Sequence, residues 1–252
     1  MGNPFLLGAL TAFQPVFNKS REEQVRIYAD PAFRKAVHEE MAGRPIIAGL
    51  FERMRLIDAA TPEGRAAVES GTTMAEIGRA RGISGLDAML DLAVVDEAML
   101  VDLEIANFEV DGVRNLLQDG RFLVGLGDGG AHVDMLCDAC YPTYLLAKWV
   151  REREALTLEE GVRLLTSVPA GFFGIADRGR IAPGLAADLV LFDPDRIDAL
   201  DAEYVADLPG GARRLLSRAE GVHCTIVNGQ VLMRDGEHQG ALPGRILRSG
   251  AA

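Results

Sequence analysis

The most informative segment of the chain is Arg121-Phe122-Leu123-Val124-Gly125-Leu126-Gly127-Asp128-Gly129-Gly130-Ala131-His132. Its apolar run, from Phe122 to Leu126, is typical of a buried parallel strand, and a carboxylate follows it at once. An ionised carboxylate is costly to desolvate without a partner, so packing alone seldom places an aspartate at the end of such a strand. Because chemistry in α/β sheets and barrels lies at the carboxyl ends of strands, Asp128 is the first candidate for a functional residue.

Three glycines surround this aspartate: Gly127, Gly129 and Gly130. Glycines allow the backbone to turn sharply and a ligand to approach closely, which favours a binding role for this segment. The structural alternative is an ordinary turn in which the Asp128 carboxylate accepts local backbone hydrogen bonds.

Composition and charge narrow the function classes. The chain has 252 residues, of which 48% are hydrophobic, and a formal net charge of −11. This acidic balance disfavours nucleic acids and anionic membranes as partners. The sequence has no apolar run long enough for a transmembrane helix and no visible signal peptide, so a cytoplasmic location is expected.

The kind of predicted secondary structure changes along the chain, and an α/β fold class is predicted. From about residue 100 to residue 168, predicted strands (100–108 and 121–127) alternate with predicted helices (109–118 and 139–154). This alternation indicates a parallel sheet, but one with too few strands for a complete barrel. A further strand is predicted around Ile46-Ile47-Ala48, and helix N-caps are predicted at Ser20, Asp30 and Thr157. After Gly174 the sequence is rich in short strands, and Asn228-Gly229 predicts a two-residue hairpin. The expected domains are residues 1–175 and 176–252.

The three cysteines are Cys137, Cys140 and Cys224, a sparse and odd number that fits reduced thiols. Cys137 and Cys140 form a Cys-x-x-Cys pair, which is compatible with a redox pair or with half of a zinc site. Since no second pair stands at zinc-site spacing, the competing interpretation is that they are small residues near the start of a helix.

Several motifs together resemble the amidohydrolase superfamily, and within it the N-acyl-D-amino-acid deacylase group. In chain order they are Gly127-Asp128-Gly129-Gly130-Ala131-His132, Leu158 to Arg163, Leu165-Thr166-Ser167, Pro169-Ala170, Arg178-Gly179-Arg180-Ile181, Pro183-Gly184, Ala187-Asp188-Leu189-Val190 and Val227-Asn228-Gly229. Each motif is weak alone, but their order is specific and covers nearly the whole chain.

The resemblance implies the C-terminal portion of a (β/α)8 TIM-type barrel followed by a small β-sandwich segment. It also implies a zinc-dependent hydrolase of N-acyl amino acids in which Asp128 is the general base toward metal-bound water and touches the metal. Gly129, Gly130 and His132 are expected to contact the substrate. A cyclic-amide hydrolase resembling the hydantoinases is the alternative within the superfamily.

One departure from the family pattern concerns the metal ligands. The family binds metal through a His-x-His and further histidines, whereas this sequence has four histidines (His38, His132, His223 and His238) and no His-x-His. The expectation is therefore that most zinc ligands lie outside this chain, and that an N-terminal half or a second copy of the chain is its partner. The alternative is a remnant or binding module without catalysis.

Overall fold

The computed structural model describes residues 5–96, 99–103, 107, 109–125, 127, 130, 133–134, 137 and 139–247. The chain divides into two compact units, Met1–Phe108 and Glu109–Ala252. Both contain helices and strands, which confirms a mixed α and β structure. The division at residues 175 and 176 stays a prediction.

The first unit is mainly helical. Its described residues form the 3-10 helices Phe5–Ala9 and Thr11–Val16, the α-helices α1 Arg21–Ala29, α2 Pro31–Ala42, α3 Pro45–Arg53, α4 Pro62–Ser70, α5 Met74–Arg81 and α6 Gly85–Val95, and the strands β1 Arg55–Asp58 and β2 Leu100–Asp102. The two strands pair in antiparallel orientation. The core of this unit includes Phe13, Tyr28, Met74, Met89 and Leu90, all fully buried.

Local capping explains where these helices begin. The Ser20 hydroxyl accepts a hydrogen bond from the backbone N–H of Glu23, and the Glu23 carboxylate accepts one from the backbone N–H of Ser20. This capping box satisfies two of the donors that a helix start leaves unpaired. Asp30 caps α2, with Pro31 as its first residue. The caps predicted at Ser20 and Asp30 are thereby confirmed.

The strand predicted around residues 46–48 is wrong, because these residues lie inside α3. Pro45 occupies the first position of the helix, where its fixed φ angle suits helical backbone and its missing N–H costs nothing. The helix start at Pro45 outweighs the strand preference of the β-branched residues Ile46 and Ile47. Ile46 is in fact exposed.

An ion-pair network ties α2 to α6. The Asp87 carboxylate accepts a hydrogen bond from the Ser84 hydroxyl at 2.7 Å and lies 2.9 Å from Nε2 of His38. Arg34 lies 3.5 Å from Asp87 and 2.7 Å from Asp91. Burial raises the pKa of Asp87, but the hydrogen bonds from Ser84 and His38 outweigh it and hold the pKa below its ordinary value.

The second unit begins with helices and ends with strands. Its helices are α7 Val110–Gln118, α8 Tyr141–Tyr144, the π-helix Leu145–Glu152, α9 Leu158–Leu165, α10 Ser167–Phe172 and the 3-10 helix Pro209–Gly211. Its strands are β3 Leu189–Phe192, β4 Asp198–Ala199, β5 Glu203–Val205, β6 Arg214–Leu216, β7 Ala219–Glu220, β8 Val222–Val227, β9 Gln230–Arg234 and β10 Glu237–His238. The order β10-β9-β8-β3 forms a four-stranded sheet, and the pairs β4–β7 and β5–β6 are separate.

Close packing of α9 on the π-helix requires a glycine. A Cβ atom added to Gly161 would lie 2.7 Å from Cγ2 of Val150 and 3.2 Å from Cδ2 of Leu146. The two helices therefore approach more closely than a side chain at this position would allow. They enclose a small core around Leu145 and Trp149.

The tail confirms the predicted hairpin. Asn228 and Gly229 have φ angles of 46° and 79° and join β8 to β9, as a tight hairpin turn requires. The backbone N–H of Asn228 donates to the Asp188 carboxylate at 2.7 Å, and Arg178 donates to the same carboxylate at 2.5 Å. Asp188 thus fastens the start of β3 to the hairpin.

The predicted strand over 121–127 is wrong for the residues that can be described. Residues 121–125 and 127 have no strand structure, and Phe122 is 49% exposed. The predicted parallel sheet is also not found within the described ranges, where every strand pair is antiparallel. A parallel strand needs a neighbour to receive its backbone hydrogen bonds, and none of the described strands lies beside this segment. Within the described part of the chain, no helix is long and apolar enough to cross a membrane.

Candidate functional site

The segment before the predicted acid is held by the small core of the second unit. Val124, four residues before Asp128, packs against the cluster that contains Leu145 and Trp149. Closer to α7, the Asp119 carboxylate accepts hydrogen bonds from the Arg121 side chain at 2.9 and 3.0 Å. These bonds lower the pKa of Asp119, so the carboxylate is charged at neutral pH.

Three of the four predicted site residues, Asp128, Gly129 and His132, lie outside the described residues, and their roles stay predictions. The fourth, Gly130, has a φ angle of +97°. This conformation is strained for residues with a Cβ atom, so the backbone itself favours glycine at this position.

The segment after the predicted acid is held by the hairpin of β5 and β6. The backbone N–H of Leu215 donates to the carbonyl oxygen of Val133 at 2.7 Å. The Tyr204 hydroxyl donates to the carbonyl oxygen of Asp134 at 3.0 Å. Two consecutive carbonyl groups just beyond His132 are thereby bound by the β-rich tail.

The described histidines each have a local explanation. His38 pairs with Asp87 in the first unit. Nδ1 of His223, on β8, lies 3.5 Å from the Asp235 carboxylate, and Nδ1 of His238 accepts a hydrogen bond from the backbone N–H of Gly240. Each of these three side chains thus has a polar partner among the described residues.

The described residues do not fit a zinc ion. Among them, no group of three or more His, Cys, Asp or Glu side chains is placed to hold a metal. The three cysteines are free thiols, with Cys137 and Cys140 half-buried and Cys224 buried. That most zinc ligands lie outside this chain stays a prediction.

Two polar arrangements were missed by reasoning from the sequence. Asp96 is 1% exposed, and its carboxylate accepts hydrogen bonds from the backbone N–H groups of Ala60 and Thr61 and from the Thr61 hydroxyl. The contacts of Tyr204 and Leu215 with the segment after His132 were missed as well. All of these partners are distant in sequence, so no local pattern signals them.

The fold is of mixed α and β type, and Val124 before the predicted acid and Val133 and Asp134 after it make contacts within the second unit. The sequence profile described as "Amidohydrolase family" matches residues 11–233. The chain therefore belongs to the amidohydrolase family, as the ordered motifs predicted.

The sequence of the chain is similar to those of two known enzymes. The chain is 40% identical over 112 residues to an N-acyl-D-glutamate deacylase of Alcaligenes xylosoxydans xylosoxydans, a match that covers 44% of this chain and 20% of the relative. It is 28% identical over 250 residues to a D-aminoacylase of the same organism, covering 95% of this chain and 47% of the relative. The chain thus spans about half the length of this D-aminoacylase.

A solved structure of an N-acyl-D-glutamate deacylase from Bordetella bronchiseptica, complexed with zinc and a phosphonate inhibitor, has 25% sequence identity to the chain. The similarity covers 86% of this chain and 46% of that one, with a TM-score of 0.41.

Proposed function

We propose that the chain is the C-terminal part of an enzyme that hydrolyses the amide bond of N-acyl-D-amino acids. The observation that carries this proposal is the family match over residues 11–233, which includes the segment around Asp128. The similarity to an N-acyl-D-glutamate deacylase and a D-aminoacylase supports the substrate class. In the complete enzyme, we expect a (β/α)8 barrel whose last part is residues 1–175, followed by a β-sandwich segment over 176–252.

In this proposal Asp128 is the general base. Its carboxylate accepts a proton as water attacks the carbonyl carbon of the substrate, and then returns that proton to the amide nitrogen. The C–N bond breaks, which releases a carboxylic acid and the free amine of the D-amino acid. Base catalysis of this kind contributes about 10²- to 10⁴-fold to a rate.

Gly129, Gly130 and His132 are proposed to contact the substrate. The positive φ angle of Gly130 supports this role, because a backbone without a Cβ atom allows a ligand to approach its N–H closely. Zinc is the proposed cofactor. Since the described residues do not fit it, most of its ligands would come from an N-terminal half of the enzyme or from a second copy of the chain.

A second candidate function is a binding module without catalysis. The observation that favours it is the histidine content: four histidines and no His-x-His. In that case the glycine-rich segment would bind an N-acyl amino acid without cleaving it.

Hydrolysis of N-acetyl-D-glutamate and N-acetyl-D-methionine tests the two candidates. The chain is assayed alone and after co-expression with the N-terminal half of a D-aminoacylase, and bound zinc is measured by mass spectrometry. Activity and zinc binding only in the combined sample would support the enzyme, whereas substrate binding without hydrolysis in any sample would support the binding module.

The base is tested in the combined sample. We expect Asp128→Asn to reduce kcat at least about 100-fold, with KM changed little. Asp111→Asn is the matched control, because the Asp111 side chain on α7 is 87% exposed. Equal activity of the two variants would refute the role of Asp128.

A further inference from the structure

The Val227-Asn228-Gly229 motif contains a residue that the hairpin turn alone does not explain. The turn between β8 and β9 needs a positive φ angle at position 228, which asparagine, aspartate and glycine all adopt readily. Of these three, only asparagine has a side chain that both donates and accepts hydrogen bonds at neutral pH. In the structure both groups are used, and both partners belong to residues 241–247.

We call residues 241–247 the strap, because they pass the tip of the hairpin as a segment without helix or strand. Nδ2 of Asn228 donates a hydrogen bond to the carbonyl oxygen of Pro243 at 2.8 Å. Nη2 of Arg245 donates a hydrogen bond to Oδ1 of Asn228 at 3.1 Å. The two contacts lie two residues apart along the strap, so one side chain fixes both the position and the direction of the segment.

The strap has little else to hold it. Within the described part of the chain, no residue outside the strap other than Asn228 forms a hydrogen bond with it. The side chains of Leu242 and Ile246 are each 85% exposed, so burial of apolar surface stabilises its position only weakly. Attachment of the strap consequently depends on the side-chain amide of Asn228.

The turn that carries this amide is held by separate bonds. The backbone N–H of Asn228 donates to the Asp188 carboxylate at 2.7 Å, and the backbone N–H of Gly229 donates to the carbonyl oxygen of Ala187 at 2.9 Å. Both donors belong to the main chain, so they are present whatever side chain stands at position 228. The turn and the attachment of the strap can therefore be separated by changing that side chain alone.

We propose that Asn228 is the latch of the strap, which opens as a unit when its bonds to this side chain break, while the sheet of β3, β8, β9 and β10 stays folded. Two exposed hydrogen bonds contribute little compared with a whole sheet, so opening takes place within the folded protein. The bonds described above involve none of the residues assigned to hydrolysis, and the latch is tested independently of the proposed function.

Cleavage by trypsin after Arg245 measures opening. Trypsin binds the arginine side chain in its specificity pocket, so the bond from Arg245 to Asn228 must break before the chain is cut. When opening and closing are fast relative to cleavage, the rate of cleavage follows the population of the open strap. Mass spectrometry of the full chain follows the release of the peptide that begins at Ile246.

The test compares Asn228→Gly with Gln239→Ala. Glycine keeps the positive φ angle of the turn and removes both bonds to the strap. Gln239 is the matched control, because its side-chain amide lies two residues before the strap and donates only to the carbonyl oxygen of Glu237. Hydrogen–deuterium exchange of peptides from residues 222–234 shows whether the hairpin of β8 and β9 stays folded in each variant.

In Asn228→Gly we expect cleavage after Arg245 to become about 5- to 30-fold faster, with exchange in residues 222–234 unchanged. Gln239→Ala should change neither measurement. An unchanged rate of cleavage in Asn228→Gly, or an equal increase in Gln239→Ala, would overturn the proposal. Faster cleavage accompanied by faster exchange in residues 222–234 would overturn it too, because the strap would then open only when the sheet unfolds.

Discussion

Replacement of Asp96 by alanine should lower the free energy of unfolding of the first unit more than substitution of an exposed residue does. The carboxylate is almost completely buried and lies at the start of α4. It accepts hydrogen bonds from the backbone N–H of Ala60 at 3.0 Å, from the backbone N–H of Thr61 at 2.8 Å and from the Thr61 hydroxyl at 2.9 Å. That hydroxyl in turn accepts from the N–H of Gly64 and caps the helix.

The size of the effect follows from these bonds. A hydrogen bond to a charged group contributes about 1.5–3 kcal/mol, and a buried donor left unpaired carries a desolvation penalty as well. Three donors lose their acceptor in Asp96→Ala, although water entering the cavity recovers part of the loss. We expect the free energy of unfolding to fall by at least about 3 kcal/mol, a large share of the 5–15 kcal/mol typical of a domain. Asp96→Asn keeps the shape and one acceptor oxygen, and should lose about 1.5–3 kcal/mol.

The assay must report on the first unit alone. The only tryptophan, Trp149, lies in the second unit, so its fluorescence follows that unit instead. Urea-dependent hydrogen exchange of peptides from residues 55–96 measures the first unit directly. Asp58→Ala is the control, since the Asp58 side chain is exposed and makes no hydrogen bond or ion pair with the other described residues. A loss of less than about 1 kcal/mol in Asp96→Ala, or one equal to the control, would refute the reasoning.

Two further predictions concern helix packing and pH. Gly161→Ala should destabilise the second unit by about 1 kcal/mol in urea unfolding followed by Trp149 fluorescence, because overpacking outweighs the gain in helix propensity. Gly49→Ala, in a helix interior with nothing within 4 Å of the added Cβ, should instead stabilise its unit by about 0.5–1 kcal/mol, and the same sign for both would contradict the packing argument. Asp87→Asn should lower Tm at neutral pH, and the difference from wild type should shrink as the pH falls below 3.8, since a carboxylate with a lowered pKa loses its contribution on protonation. A difference in Tm that stays constant down to about pH 3 would show that Asp87 does not stabilise through its charge.

The helix starts could be predicted because their causes are local. Ser20, Asp30 and Thr157 each satisfy backbone donors two or three residues away, and every one of these caps is confirmed. The hairpin at Asn228 is confirmed for the same reason, since two residues with positive φ angles determine which strands meet. Such features need no information from distant parts of the chain.

The strand predicted over residues 121–127 failed because its cause would not be local. An apolar run with glycines has the composition of a buried strand, but a parallel strand forms only beside another that accepts its hydrogen bonds. Where no such neighbour lies among the described residues, the same sequence takes irregular backbone and leaves Phe122 half-exposed. The apolar pattern therefore predicted the conformation of these residues wrongly.

The contacts around the candidate site also depend on residues that are distant in sequence. The order of weak motifs predicted the family, which the match over residues 11–233 confirms, yet no motif indicated the partners of Val133 and Asp134. The carbonyl of Val133 is bound by the N–H of Leu215, 82 positions further along the chain, and the carbonyl of Asp134 by the hydroxyl of Tyr204, 70 positions further along. Every residue has a backbone carbonyl that can accept a hydrogen bond, so the identities of residues 133 and 134 do not predict this contact. The donors belong to the hairpin of β5 and β6. The Tyr204 hydroxyl and the backbone N–H of Leu215 do not bond within that hairpin, and they find their acceptors at Asp134 and Val133 only once the chain has folded.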